Sequence, residues 1–190
     1  MAAKEMNLQA SVDRILAEVR SVLEHVDAAN VCAVIERLLQ AQRVYVAGGG
    51  RSGLMARAFA QRLMHLGLVS YVVGETTTPA ISDRDVLLVF SGSGETQVTV
   101  LVSRVAREIG AHVVAVTANR DSSIAHVADT VLLLRAPYKS APEEGMRSIQ
   151  YAGSLFEQSV LILTDAIALE IGRILGRSDR ELSRRHANLE

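Results

Sequence analysis

Two loops and one carboxylate have the residue types and spacing to do chemistry. Ser91-Gly92-Ser93-Gly94-Glu95-Thr96 joins three hydroxyls to two glycines that let the backbone approach an anion. Set before a helix, such a loop adds partially positive N–H groups and becomes a cradle for a terminal phosphate monoester. Gly48-Gly49-Gly50-Arg51-Ser52-Gly53 is a second loop of this kind, with Ser52 as its hydroxyl. Its Gly48, Gly50 and Gly53 also satisfy G-x-G-x-x-G, and Glu75 stands where a ribose-binding acid belongs, so a dinucleotide site is one competing reading. That reading does not require the second loop, and 190 residues leave little room for separate cofactor and substrate domains. Another competitor is a plain strand-to-helix turn whose serine or threonine caps the helix. No Gly-Lys-Ser/Thr ending and no magnesium-type carboxylate set is visible, which argues against nucleotide hydrolysis.

The carboxylate is Glu157, the one charge in the seventeen residues between Arg147 and Asp165, set among Ile149, Leu155, Phe156, Val160, Leu161, Ile162 and Leu163. A carboxylate on such an apolar helix is costly unless it is paired, commonly with an arginine, or used as a base. The five histidines, at 25, 65, 112, 126 and 186, show no metal-ligand spacing, so the expectation is chemistry without a metal. His65 falls near the far end of the helix that would open at Ser52, about 20 Å from its own loop at ~1.5 Å per residue, so any role for it requires a second subunit. Asp165 and the Tyr138-Lys139 pair read as solvated or structural, and Cys32, in an apolar helical stretch, as a packed thiol.

These residues need elements to hold them. From Arg43 onward, short β-branched runs alternate with helical stretches: Val44 to Ala47, Val69 to Val73, Val86 to Phe90, His112 to Thr117 and Thr130 to Leu134. The alternation predicts an α/β fold, a five-stranded parallel sheet with helices on both faces in flavodoxin-like order. Ligands bind such sheets at the carboxyl ends of the strands, so both glycine loops, Gly74 to Thr78 and Thr117 to Ser122 should share one edge. Helical spacing of Val12, Ile15, Leu16, Val19, Val22, Leu23 and Val26, with a second set from about Val31, predicts an N-terminal helical arm. Arg135 to Ser148 reads as an irregular connection or lid, and Gln150 to about Leu175 as a last long helix. The expected organisation is one domain over 1–190: the arm at 1–42, the sheet at 43–150, and the C-terminal helix and charged tail at 151–190.

Composition narrows the partners. Lys plus Arg (20) nearly balances Asp plus Glu (21), aromatics are 4% and Trp is absent, so nucleic acid is not an expected partner. One cysteine excludes an internal disulfide, and no apolar run approaches membrane length, which predicts a soluble, cytoplasmic protein without membrane contact. At 49% hydrophobic residues the chain is more apolar than a small domain needs, which predicts a homo-oligomer, dimer or tetramer.

The loop pair resembles the sugar isomerase (SIS) domain. More specifically, Ala58-Phe59-Ala60, Arg62 to Gly67, Val72 to Ile81, Ser148-Ile149-Gln150, Gly153-Ser154-Leu155-Phe156-Glu157-Gln158 and the tail Arg185-His186-Ala187-Asn188-Leu189-Glu190 resemble the 6-phospho-3-hexuloisomerase family, from about residue 8 to the end. At Tyr151-Ala152 the sequence departs from the family's frequent proline and methionine, which bears on the geometry of the helix start. The resemblance implies conversion of 3-hexulose 6-phosphate to fructose 6-phosphate through an enediolate, with no cofactor. It assigns phosphate binding to Ser52, Ser91, Ser93 and Thr96 with Gly92 and Gly94, and the base to Glu157. Glu95, in the loop but repelled by phosphate, should point away or cap. His65 and His186 are implied in catalysis from a neighbouring subunit, and Arg51 and Asn188 as polar contacts. It also implies a place in the ribulose monophosphate pathway of formaldehyde metabolism beside a 3-hexulose-6-phosphate synthase. The rival functions are a non-catalytic phosphosugar sensor and an isomerase of another aldose or ketose phosphate.

Overall fold

A computed structural model describes residues 7–138 and 147–189. The middle of the expected lid (139–146, including Lys139), the first six residues and Glu190 lie outside the described residues. Strands β1 (Val44–Gly48), β2 (Ser70–Val72), β3 (Val86–Phe90), β4 (His112–Thr117) and β5 (Thr130–Leu133) form one sheet in the order β2-β1-β3-β4-β5, parallel throughout. This is the flavodoxin-like order expected from the alternating pattern. β3, a run of five apolar residues, is buried along its whole length because both sides of it face packed layers.

Alternation along the strands divides the core in two. Val44, Val46, Leu88, Phe90, Val114 and Val116 point into a layer built with α1 (Leu8–Leu23), α2 (Ala28–Gln40), α3 (Gly50–Leu66) and α6 (Ser154–Ile174). Tyr45, Ala47, Leu87, Val89, Val113 and Ala115 face α4 (Gln97–Ile109) and the short α5 (Ser123–Val127). Each fully buried Phe or Leu, such as Phe59, Leu63 and Phe156, contributes about 1.5–3 kcal/mol relative to exposure. A last short helix, α7 (Asp179–Ser183), folds the tail back toward α3, and Arg177 donates from Nε to the terminal carbonyl of α3 at Leu66 (3.1 Å).

Three expectations are revised. Cys32 is exposed, not packed, because α2 buries Val34, Ile35 and Leu38 and residue 32 stands roughly 100° around the helix from that stripe. The last helix starts at Ser154, not Gln150, because Ala152 has φ +50°, outside the right-handed helical region. The second strand is trimmed to Ser70–Val72. The apolar surplus is visible outside: Val98, Leu101, Val105 and Ile109 line one exposed face of α4, and Leu8 and Leu16 of α1 and Ile162 and Leu169 of α6 are also exposed.

Candidate active site

Helices α3, α4, α5 and α6 start at the carboxyl edge of the sheet, and three of these starts, α3, α4 and α6, meet one another. Gly49, between β1 and α3, lies against Thr96, which precedes α4; a Cβ added there would be 3.4 Å from the threonine methyl. Gly92 lies against the first turn of α6, where an added Cβ would stand 3.3 Å from the Phe156 ring. A larger residue at 92 would therefore wedge the loop from the helix. The third contact is an ion pair from Arg51 Nε to Glu157 Oε2, which brings the β1–α3 loop onto α6. The two glycine loops and Glu157, separated by up to 109 positions in the sequence, are thus neighbours.

The loop 91–96 is braced from beneath. Ser91 is buried, and its hydroxyl receives the Gly94 N–H (3.1 Å) and meets Thr96 Oγ1 (3.3 Å), so Ser91 organises the loop from within. Ser93 Oγ accepts from the Glu95 N–H (3.3 Å). Gly94 has φ +68°, and a Cβ there would come within 2.1 Å of Ser122 Oγ, so both backbone and space demand glycine. The β4–α5 loop supplies the brace: Thr117 Oγ1 donates to Gly92 O (3.3 Å), Asn119 Nδ2 to Ser93 O (3.4 Å), and the Ile124 N–H to Gly94 O (3.2 Å). Sequence reading marked this stretch as a loop at the right edge but gave its residues no task. Asn119 in particular carries no local signal of its role.

Glu95 is bound at the start of α5. Its two oxygens accept the Ser123 hydroxyl and N–H, both at 2.7 Å, and these bonds hold its carboxyl below the usual carboxylate range. Thr96 occupies the N-cap position of α4, yet its side chain makes no capping hydrogen bond. Gly49 before α3 and Gly153 before α6 likewise leave the first turns without a side-chain cap. The plain capped-turn reading of the 91–96 loop is therefore not what the geometry displays. The starts of α3, α4 and α6, none capped by a side chain, are instead neighbours through the Gly49–Thr96, Gly92–Phe156 and Arg51–Glu157 contacts, and first-turn N–H groups of this kind suit an anion.

Glu157 is 13% exposed at its side chain and its Arg51 partner 64% exposed. The carboxylate is thus sheltered at the cleft while the guanidinium stands in solvent. Asp165, further along α6, is held by Arg62 Nε at 3.0 Å, a structural pair in the open. No group of three or more His, Cys, Asp or Glu able to hold a metal is present among the described residues.

His65 and His186 are brought together, but not to these loops. They stack with ring centroids 4.3 Å apart at the end of α3 opposite the Ser52 turn, beside a cavity of about 540 Å³ also lined by Arg62, Asp165, Asp179 and Ser183. His65 is 6% exposed and its Nε2 has no hydrogen-bond partner among the described residues. Burial, then His186 and Arg62, push its imidazole below its ordinary value. Glu157 and the hydroxyl loops are absent from the lining of this cavity, so the loop edge is the better candidate for proton chemistry. Asn188 lies exposed in the tail near His186.

A family model described as the SIS domain matches residues 37–162. A Mycobacterium gastri protein named 3-hexulose-6-phosphate isomerase is 45% identical over 91% of this chain and 86% of its own length. A Bacillus subtilis protein of the same name is 35% identical over 94% and 97%. A solved Methanococcus jannaschii structure, whose inferred molecular function is 3-hexulose-6-phosphate isomerase, superposes with a TM-score of 0.82 at 31% identity, covering 95% of this chain and 99% of that one.

Proposed function

The chain belongs to the SIS domain family and is a phosphosugar isomerase, and from that premise we propose that it interconverts 3-hexulose 6-phosphate and fructose 6-phosphate with Glu157 as the base. The carrying observation is that the first turn of α6 meets both hydroxyl loops, Glu157 through Arg51 and its neighbour Phe156 through Gly92. The substrate's phosphate would bind Ser52, Ser93 and Thr96 with the backbone N–H groups of Gly92 and the α4 start, while Ser91, which takes the Gly94 N–H, holds the loop in shape. Anchoring that handle fixes how far the reacting carbons stand from the carboxylate.

The reaction moves a ketone between neighbouring carbons. Glu157 removes the proton on C2, beside the C3 carbonyl, and the electron pair of that bond forms the C2=C3 double bond of an enediolate. The same carboxylic acid returns the proton to C3, and the hydroxyl proton passes from O2 to O3, leaving the ketone at C2. C2 is oxidised by two electrons as C3 is reduced by two, so the exchange is internal and no redox cofactor is needed. Arg51, ion-paired with Glu157 and largely in solvent, is able to leave the carboxylate and donate to a substrate oxygen. His65 and His186 lie too far along α3 to serve their own chain's loops, so their part is at a neighbouring subunit's site as proton carriers or hydroxyl donors. The exposed apolar faces of α1, α4 and α6 support such association. A place in fixing or releasing formaldehyde, beside a 3-hexulose-6-phosphate synthase, belongs to the same reading and rests on the family resemblance.

The test is formation of fructose 6-phosphate from enzymatically made 3-hexulose 6-phosphate, in the presence of a chelator, by wild type and Glu157→Gln. Turnover that falls by about 10³-fold or more in the variant, with fructose 6-phosphate still bound, is the expected result. A folded wild type that binds sugar phosphates without turnover would favour the sensor reading, and turnover of a different phosphosugar alone would favour another isomerase.

A further inference from the structure

The helix carrying Glu157 has no cap of its own. Its N-cap position is Gly153, and a Cβ added there would stand 3.8 Å from Glu157 Oε1, so any slack in Gly153 moves the carboxylate's immediate surroundings. Beyond the packing of Phe156 on Gly92 and the Arg51 ion pair, what holds the first turn is the strap that enters it, residues 148–153. That strap contains the one non-glycine residue with positive φ among the described residues, Ala152 at +50°. A conformation of this kind persists only where the chain is fixed on both sides.

One side is α6 itself. The other is a single carboxylate from the opposite end of the sequence. Glu18, in α1, accepts from Ser148 Oγ (2.7 Å), the Ile149 N–H (2.9 Å) and Gln150 Nε2 (3.2 Å), three consecutive residues of the strap. Ser148 Oγ in turn accepts from the Gln150 N–H (3.0 Å). Only Tyr151 and Ala152 separate this anchor from Gly153, too short a span to absorb movement. Burial works against the charge on Glu18, but Ile149, Ser148 and Gln150 outweigh it, with help from Arg14, and its carboxyl lies below the usual range. α1 also packs along α6, so anchor and helix move as one body.

We propose that Glu18 is a positioning residue for Glu157: by fixing Ser148 to Gln150 it sets the start of α6 and so the placement of the carboxylate beside the two loops. The proposal rests on the reading of Glu157 as the base. Glu18 touches no substrate and acts only through the strap. The phosphate handle, held by β1–α3 and β3–α4, is independent of it.

That separation gives the test. Glu18→Ala and Glu18→Gln, Glu157→Gln and the double variant Glu18→Ala/Glu157→Gln are assayed with 3-hexulose 6-phosphate, and each is checked for folding by thermal melt. In Glu18→Ala, kcat is expected to fall about 10- to 100-fold, the scale of a misplacement near 1 Å, while KM stays within about twofold. Glu18→Gln, which keeps shape and one acceptor, loses less, and it carries the test if the alanine variant does not fold. The double variant is no slower than Glu157→Gln alone, because a displaced base that is already absent has nothing further to lose. Unchanged kcat in folded Glu18 variants, or losses that multiply in the double variant, would overturn the positioning role and leave the base in place. Full turnover by Glu157→Gln would remove the base, and the proposal with it.

Discussion

The helix starts that carry the two hydroxyl loops and Glu157 are built differently from the others, α5 included, although its start braces the 91–96 loop. α1, α2, α5 and α7 each begin on a side chain that accepts from its own first turn: Asn7, Asp27, Ser122 and Ser178, the last with Glu181 in a capping box. α3, α4 and α6 have no such bond, although Thr96 is a residue type that caps well. A missing cap leaves first-turn N–H groups to water or to a ligand, at a cost of about 1 kcal/mol in helix stability. All three missing caps fall on one edge of the sheet, around Glu157. If the proposed phosphate binds there, it takes the place of the missing caps.

The sharpest way to break this contrast is to give α4 the kind of cap the other helices have. Thr96→Asp should satisfy the first-turn N–H groups and place a negative charge where the phosphate is proposed to bind. Affinity for fructose 6-phosphate is expected to drop at least about 100-fold by titration calorimetry, while thermal stability holds or rises by about 0.5–1 kcal/mol. A variant that still binds normally would mean that the α4 start is not the phosphate site. The reverse experiment removes a cap far from the site. Asp27→Ala loses bonds to the Ala29 and Asn30 N–H groups (2.8 and 3.3 Å) and should cost about 1 kcal/mol, or ~2–4 °C in Tm, with kcat/KM unchanged.

Ala152 sharpens the comparison at α6. Glycine there removes the penalty of a left-handed alanine but adds freedom to the unfolded chain, for a net gain of about 0.5–1 kcal/mol in a denaturant melt. Destabilisation by Ala152→Gly would show that the conformation carries no strain. The smallest expected effect separates the histidine cavity from the loop edge. Because His65 resists protonation in the fold, the unfolded chain takes up a proton near pH 6.5 that the folded chain refuses. Its contribution is complete above about pH 6.5 and is lost as pH falls below that value toward the depressed folded pKa. Melting temperature between pH 7 and 5 should therefore slope less in His65→Gln than in wild type, where His186, Arg62, Asp165 and Asp179 surround the ring. Equal slopes would assign the acid sensitivity to those neighbours instead.

Much of this molecule is legible in its amino acids because the relevant signals are local. Strand and helix periods, glycine at strand-to-helix turns and the short apolar runs of a sheet buried on both faces dictate the parallel order and place both hydroxyl loops on one edge. Glu157 is conspicuous because a lone charge in an apolar helix demands a reason. Resemblance in the blocks outside the loops carried the substrate class, which the physics of the loops alone left open. The tertiary structure decided what depends on groups far apart in the chain. No local pattern says that Arg51 meets Glu157 across 106 positions, that Glu18 holds Ser148 across 130, or that Asn119 braces Ser93. Nor does the type of Thr96 tell that its side chain leaves α4 uncapped, since that depends on where the hydroxyl turns once Ser91 is beside it. Local propensity determines which elements form; which of their ends remain open for a ligand is settled only when the elements pack, because a hydrogen bond made or withheld there depends on distances that packing sets.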